Sequence, residues 1–306
     1  MELLLSSPRG FCAGVDRAIN IVDEALKLLP HPIYVNHEIV HNSHVVNDFK
    51  DRGVIFVEGI ESVPHGSTLI FNAHGVPPSL INEAKEKQLK IIDATCPLVS
   101  KVHFEAIRYA KNGYEIILIG HRGHAEVIGV VGEAEEKIHI VENPQEVEKL
   151  SFSREDKLAY ITQTTLSLDD CKSIVDALIK RYPQIEAPKK SDICYATTNR
   201  QGAVKVVSKD SDVIIVVGSP NSSNSNRLRE VAENNGTKAY MVNESSELQK
   251  EWFNDTDKVG ITAGASTPET IVQDVISWLK SNFNVVSEVQ AVTVEENEIF
   301  SLPKIS

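Results

Sequence analysis

Cys12, Cys96 and Cys194 fall at near-equal intervals in a chain of 306 residues, each just ahead of a helix-like stretch. Three thiolates drawn from such separate points can serve one metal centre and leave one coordination position without a protein ligand. Two inorganic partners suit that set: an iron–sulfur cluster with one accessible iron, or a zinc ion on three cysteines with a bound water. The competing reading is three small buried hydrophobes. Cys171, the fourth cysteine, shares a stripe with Ile174, Val175 and Leu178 and reads as core packing. The four form neither a disulfide framework nor a C-x-x-C signature, so reduced thiols are expected.

A second set of chemistry-bearing residues occupies the loops that leave short apolar runs. They are His41–His44, Asn72–Gly75, Gly120–Glu126, Thr162–Thr165, Asn221–Asn226 and Gly264–Ser266, rich in histidine, hydroxyls, amides and glycine and poor in lysine. Such loops suit a compact phosphate or diphosphate held by many hydrogen bonds. Turn-making and helix capping are what the same residue types do elsewhere. Glu126 is the one carboxylate embedded among them, and a carboxyl group in a partly dry pocket beside an anion holds its proton more tightly, which suits general acid work. A helix-start or salt-bridging glutamate is the plainer reading.

One pattern is a false lead. His37–His41 fits the H-E-x-x-H of zinc metalloproteases, but it follows a strand-like run directly and has no evident third ligand, so a protease is rejected. No P-loop and no G-x-G-x-x-G is present, which leaves nucleotide cofactors without support.

The elements that must position these residues alternate. Strand-like runs at the first five residues and at Ile33–Val35, Leu69–Asn72, Ile91–Asp93, Glu115–Gly120, Leu158–Thr162, Val213–Gly218 and Lys258–Thr262 are each followed by a polar loop and a helix-like stretch, which predicts parallel α/β architecture. Asp16–Leu29 carries Ile19, Val22, Leu26 and Leu29 on one stripe and stops at Pro30. Ser167–Asp170 reads as a capping box before Ile174, Leu178 and Ile179, and Ser266–Glu269 as another with proline near the first turn. The cysteine spacing suggests three related units of roughly 90 residues sharing a centre. They are expected at 14–96, 97–192, and 193–284 with 1–13, while 285–306 packs over the body as an extended tail.

Composition narrows the class. With 42% hydrophobic and 24% charged residues the chain is an ordinary globular one, and none of its apolar runs approaches the roughly 20 residues of a membrane helix. A net charge of −12 gives no field for attracting nucleic acid phosphates. The strand-like start, without a basic or apolar leader, makes the cytoplasm the expected location.

Taken together, Pro8–Gly14, His37–Asn42, Ala73–Gly75, Asp93–Pro97, Thr162–Thr165, Ile193–Arg200 and Asn221–Arg227 resemble the 4-hydroxy-3-methylbut-2-enyl diphosphate reductase family in order and spacing, from about Leu4 to Ala265 and beyond. Ala125 departs from the proline expected between His124 and Glu126, which touches loop rigidity more than chemistry. The resemblance implies the last step of the methylerythritol phosphate route, reductive removal of a hydroxyl to give isopentenyl and dimethylallyl diphosphate. It implies a pseudo-three-fold α/β trefoil around a [4Fe-4S] cluster ligated by Cys12, Cys96 and Cys194, with one open iron. His41, His74, His124, Ser222, Ser223, Asn224 and Ser266 fall on diphosphate-holding positions, Glu126 and Thr164 beside the reacting hydroxyl, and Thr165 is a weaker neighbour. A ferredoxin or flavodoxin with its reductase is the expected electron donor.

Three other classes use parts of the same residue set. An iron–sulfur hydro-lyase also exploits an open iron but needs no reductant. A non-catalytic iron–sulfur sensor of a phosphorylated metabolite would bring a DNA-binding module, and none is visible. A zinc phosphohydrolase on three cysteines would show zinc and no visible absorbance.

Overall fold

The computed structural model describes residues 1–305. The chain opens with strand β1 (Glu2–Ser7) and helix α1 (Ala13–Leu28). Next come β2 (Ile33–Asn36), α2 (Ser43–Asp51), β3 (Ile55–Val57), β4 (Thr68–Phe71), α3 (Pro78–Glu86) and β5 (Lys90–Asp93), whose strands make a sheet in the order β3-β2-β4-β5. A second sheet, β7-β6-β8, is built from α4 (Pro97–Lys111), β6 (Glu115–Ile119), α5 (Ala125–Val131), β7 (Ile138–Val141), the short α6 (Pro144–Val147), β8 (Leu158–Thr162) and α7 (Leu168–Arg181). The last stretch comprises α8 (Tyr195–Lys209), β9 (Val213–Val217), α9 (Ser223–Asn234), β10 (Lys238–Val242), β11 (Lys258–Ala263), α10 (Glu269–Asn282) and β12 (Ser287–Val292). Its strands join β1 in a five-stranded sheet, β10-β9-β11-β1-β12. Strand neighbours run parallel in all three sheets, as the strand–helix alternation predicts.

By packing, the chain divides into two compact units. One holds Met1–Val15, His41–Val45 and Tyr195–Ile299, and so the five-stranded sheet; the other holds Asp16–Val40, Val46–Cys194 and residues 300–305, and so the two smaller sheets. The tail expected from residue 285 opens with β12, which pairs with β1 from Glu2↔Ser287 to Ser7↔Val292.

Continuous apolar strands are buried on both faces because side chains alternate across each sheet. In the five-stranded sheet, Leu3, Leu5, Val213, Ile215, Val259 and Ile261 pack with Val272, Val275, Ile276 and Leu279 of α10. The opposite parity, Ile214 and Val216, meets Val204 and Val207 of α8 and Leu228 and Val231 of α9. The β6 strand behaves alike: Ile117 and Ile119 join the cluster that contains Cys171, Ile174 and Leu178, while Ile116 and Leu118 meet Val102, Ala106, Val127 and Val130. Cys171 is therefore core, as expected, and burial drives its thiol pKa up to about 11.

Two helix expectations need correction. The buried face of α1 is Ala18, Ile21, Val22 and Ala25, turned from the expected stripe of Ile19, Val22, Leu26 and Leu29, because small alanines let the helix sit close to its neighbours. Ser167 caps α7 as expected, accepting from the Asp170 N–H, although Ile179 is exposed. The second capping box does not form. Pro268 is the residue before α10, and Ser266 Oγ donates instead to the His41 carbonyl at 2.9 Å, with Thr267 Oγ1 donating to the Val217 carbonyl at 3.0 Å. No helix among the described residues is long and apolar enough to cross a membrane.

Candidate functional site

In the unit with the five-stranded sheet, the expected site residues gather at the carboxyl ends of β1, β9 and β11, where open parallel sheets bind ligands. The Cys12 loop leaves β1, with Gly10 in the left-handed region at φ 68°, and docks on the loop after β11 through Gly10 N–H to the Ala263 carbonyl and Cys12 N–H to the Ala265 carbonyl, both 3.3 Å. Ala13 N–H adds a bond to Tyr195 Oη at 3.2 Å. Desolvation raises the Cys12 thiol pKa, and the Arg200 charge works against that rise.

The loop after β9 reaches α9 through Ser222, whose Oγ accepts from Ser225 N–H at 3.3 Å and so caps the helix. Ser225 Oγ fills the space between two strand ends: a Cβ placed on Gly218 or Gly264 would lie 2.2 or 2.0 Å from it. Gly218 would also bring its Cβ within 2.6 Å of Ser225 Cβ and so requires glycine, whereas at Gly264 the Ser225 hydroxyl would have to turn away. Asn224, in the first turn of α9, is buried at 4% exposure, yet among the described residues neither its Oδ1 nor its Nδ2 has a hydrogen-bond partner. A buried amide without a partner stands here at a helix start, where backbone N–H groups and the helix dipole favour negative charge, a chemistry that suits an anion. Ser223 opens the same turn, and Ser266 meets His41 through the bond already described.

In the other unit, the expected residues form one connected path. Cys96 stands immediately before α4, with its N–H on the Ala73 carbonyl at 2.9 Å. His74 follows Ala73, its N–H held by Asn72 Oδ1 at 2.8 Å, and its ring meets His124 edge to face with centroids 5.8 Å apart. His124 caps α5: its Nδ1 accepts from Glu126 N–H at 3.2 Å. Glu126 in turn grips Thr164, Oε1 accepting the backbone N–H at 2.7 Å and Oε2 the hydroxyl at 2.9 Å. The Thr164 carbonyl accepts from Cys194 N–H at 3.1 Å, and Cys194 stands immediately before α8. Thr165 lies at the edge of this path, its Oγ1 accepting from Gln163 Nε2 at 3.0 Å.

Glu126 is 2% exposed, and desolvation pushes its pKa up to about 7 against the pull of the two Thr164 donors; the Asp192 charge adds to the rise. It is thus a buried carboxyl poised to give up a proton near neutrality. The H-E-x-x-H stretch holds no helix: His37 follows β2 with φ 52°, and its Nδ1 pairs with Glu58 Oε2 at 2.5 Å. Among the described residues, no group of three or more His, Cys, Asp or Glu side chains is set to hold a metal ion.

The chain matches the model of a family described as LytB protein over residues 3–280. The chain belongs to the LytB family. Relatives of this LytB chain include a protein of Methylibium petroleiphilum, 53% identical over 99% of this chain and 92% of its own, and one of Pectobacterium carotovorum subsp. carotovorum, 52% identical over 99% and 97%. Both are named 4-hydroxy-3-methylbut-2-enyl diphosphate reductase. A solved structure of the E-1-hydroxy-2-methyl-but-2-enyl-4-diphosphate reductase from Plasmodium falciparum superposes with a TM-score of 0.96 at 44% identity, covering 99% of this chain and 95% of that one.

Two pairs beside the candidate residues are not evident from the sequence. His103 of α4, buried at 8% exposure, holds Glu133 Oε1 with Nδ1 at 2.8 Å. Its ring lies between the His74 turn and α5, since a Cβ on Gly75 would sit 2.8 Å from Nε2 and one on Gly129 3.3 Å. A glycine inside the α5 pattern was the available signal. The other pair, Arg200 with Glu296, joins residues nearly a hundred positions apart and had no local signal.

Proposed function

We propose that this LytB chain reductively removes the hydroxyl of (E)-4-hydroxy-3-methylbut-2-enyl diphosphate, giving isopentenyl and dimethylallyl diphosphate with two electrons and two protons, the last step of the methylerythritol phosphate pathway. The observation that carries the reading is Glu126: a buried carboxyl with a pKa near 7, on a hydrogen-bonded run from His124 through Thr164 to Cys194. The names of its relatives, similar over nearly the whole chain, supply the substrate.

The donor chemistry fits an iron–sulfur cluster. Cys12, Cys96 and Cys194 are free of disulfides, partly exposed, and each directly precedes a helix; at Cys12 the peptide N–H groups of the first turn pull toward the thiolate against the larger effect of desolvation. In this reading they hold one [4Fe-4S] cluster, one iron of which has no protein ligand, and residues 14–96, 97–192 and 193–284 with 1–13 are three related units that supply one cysteine each. When bound, the cluster supplies electrons singly and a Lewis-acid iron toward the hydroxyl oxygen. A ferredoxin or flavodoxin with its reductase is the donor we assign.

The remaining work belongs to the chain's own groups. Asn224 turns its unpartnered amide to the diphosphate, and Ser222, Ser223, Ser266, His41, His74 and His124 supply further donors, fixing the allylic end against the reacting centre. Glu126 gives its proton to the departing hydroxyl, and Thr164 sets the carboxyl's orientation through both oxygens. The test is anaerobic purification with iron and sulfide analysis, then assay on the hydroxylated C5 diphosphate with a one-electron reductant. Formation of both C5 products only with reductant supports the proposal; turnover without any reductant would replace it with a hydro-lyase.

A further inference from the structure

We infer that Glu296, in the segment after β12, is the counter-ion through which Arg200 clamps the Cys12 loop, so that both are positioning residues of the site; this rests on the reading of Cys12 as a cluster ligand. Arg200 is fully buried, an uncommon place for a guanidinium. Most of its donors go to backbone carbonyls. Nε and Nη2 donate to the Gly10 carbonyl at 3.1 and 2.8 Å, and Nη2 also to the Phe11 carbonyl at 3.2 Å, while Nη1 reaches the Ala196 carbonyl at 3.1 Å. Gly10 and Phe11 are the two residues before Cys12, so the planar fork of Arg200 sets the direction of the peptides that deliver that thiol.

A guanidinium cannot shed its proton, so burial demands a negative partner. Glu296 provides it: both carboxylate oxygens accept from Nη1, at 3.0 and 3.1 Å, and Asn199 Nδ2 holds Oε1 at 3.0 Å. Simple packing of the tail would be served by an apolar side chain. A charge pair whose cation is aimed at two consecutive loop carbonyls is a device for fixing that loop. The chain after the last helix is thereby part of the site.

The test uses the full chain carrying Glu296→Ala, Glu296→Gln or Arg200→Lys, with Glu298→Ala as a control from the same segment. In metal-free protein, amide hydrogen exchange at Cys12 and Ala13 is expected to quicken about tenfold in Glu296→Ala and less in Glu296→Gln, whose amide oxygen still accepts, with β9 and β11 amides unchanged. After anaerobic reconstitution, Glu296→Ala is expected to lose iron to a chelator about tenfold faster than the unsubstituted chain or Glu298→Ala. Unaltered exchange in both Glu296→Ala and Arg200→Lys overturns the inference whatever the iron content. Faster exchange in a chain that never takes up a cluster would keep the clamp and refute Cys12 as a ligand.

Discussion

Glu126 and Thr164 are joined twice, backbone N–H to Oε1 at 2.7 Å and hydroxyl to Oε2 at 2.9 Å, with both residues buried. Two donors on one carboxylate favour its ionised form, while burial favours the acid, and burial wins: the pKa settles near 7. A general acid with that pKa is active while protonated. Turnover is therefore expected to fall as pH rises through about 7, and Glu126→Gln to lower it by about 10²–10⁴ while abolishing that limb. Iron content should stay unchanged; equal turnover of the variant across the pH range would remove Glu126 from the chemistry.

The same carboxyl leaves a mark on stability. Its folded pKa lies above the unfolded value of 4.5, so between the two the native state binds more protons than the unfolded one. Stability is then expected to decline from about pH 4.5 to 7, by up to roughly 3 kcal/mol from this group, and to level off above. Chemical denaturation of Glu126→Gln and the unsubstituted chain at pH 5 and pH 8 checks the sign, the variant showing the flatter dependence.

Cysteine replacement should divide sharply. Cys12→Ser, Cys96→Ser and Cys194→Ser are expected to impair iron and sulfide retention. Cys171→Ser should retain both and lose about 1 kcal/mol of stability, since it sets a hydroxyl among Ile174, Leu178 and Ile193. Iron analysis beside thermal unfolding separates the outcomes, and matching iron loss in all four would end the distinction.

How much of this was readable beforehand depends on the locality of each signal. Val213–Val217 and Leu158–Thr162 were read as strands because their apolar runs are nearly continuous, as burial on both faces requires. β3, β7, β10 and β12 are not legible in this way, because their apolar pattern thins, as in Ser287–Val292 with most side chains exposed; edge position alone does not hide a strand, since β5 and β8 are edges as well. The loops proposed for the site are marked by residue type alone. Their partners are not: the Ser266 hydroxyl was read as a cap because its competitor, the His41 carbonyl, is more than two hundred residues away, and nothing near Arg200 announced Glu296.

Gly75 offers a graded test of the His74 turn. With φ 79° and His103 Nε2 only 2.8 Å from where a Cβ would stand, Gly75→Ala meets both backbone strain and a clash. Gly53 shares the left-handed backbone at φ 89° with nothing within 4 Å. Gly53→Ala is expected to cost about 1–2 kcal/mol and to leave the Michaelis constant alone. Gly75→Ala should cost roughly 1–3 kcal/mol more and also weaken substrate binding, because His103 or the His74 turn must give way. Indistinguishable costs in the two variants would show that the His103 contact does not constrain the turn.

Asn224 sets stability against binding. Its buried amide carries two polar atoms without partners among the described residues, each a desolvation cost to the free protein. Asn224→Leu, similar in volume, is expected to match or exceed the unsubstituted chain in stability by about 1 kcal/mol. Asn224→Asp should be tolerated too, since a carboxylate in the first turn of α9 interacts well with the helix dipole. Both should raise the Michaelis constant for the diphosphate substrate, Asn224→Leu by about tenfold through lost hydrogen bonds and Asn224→Asp further through like-charge repulsion. Thermal unfolding and steady-state kinetics on the same preparations check the opposition. An unchanged Michaelis constant in both variants would mean that the orphaned amide does not face the anion.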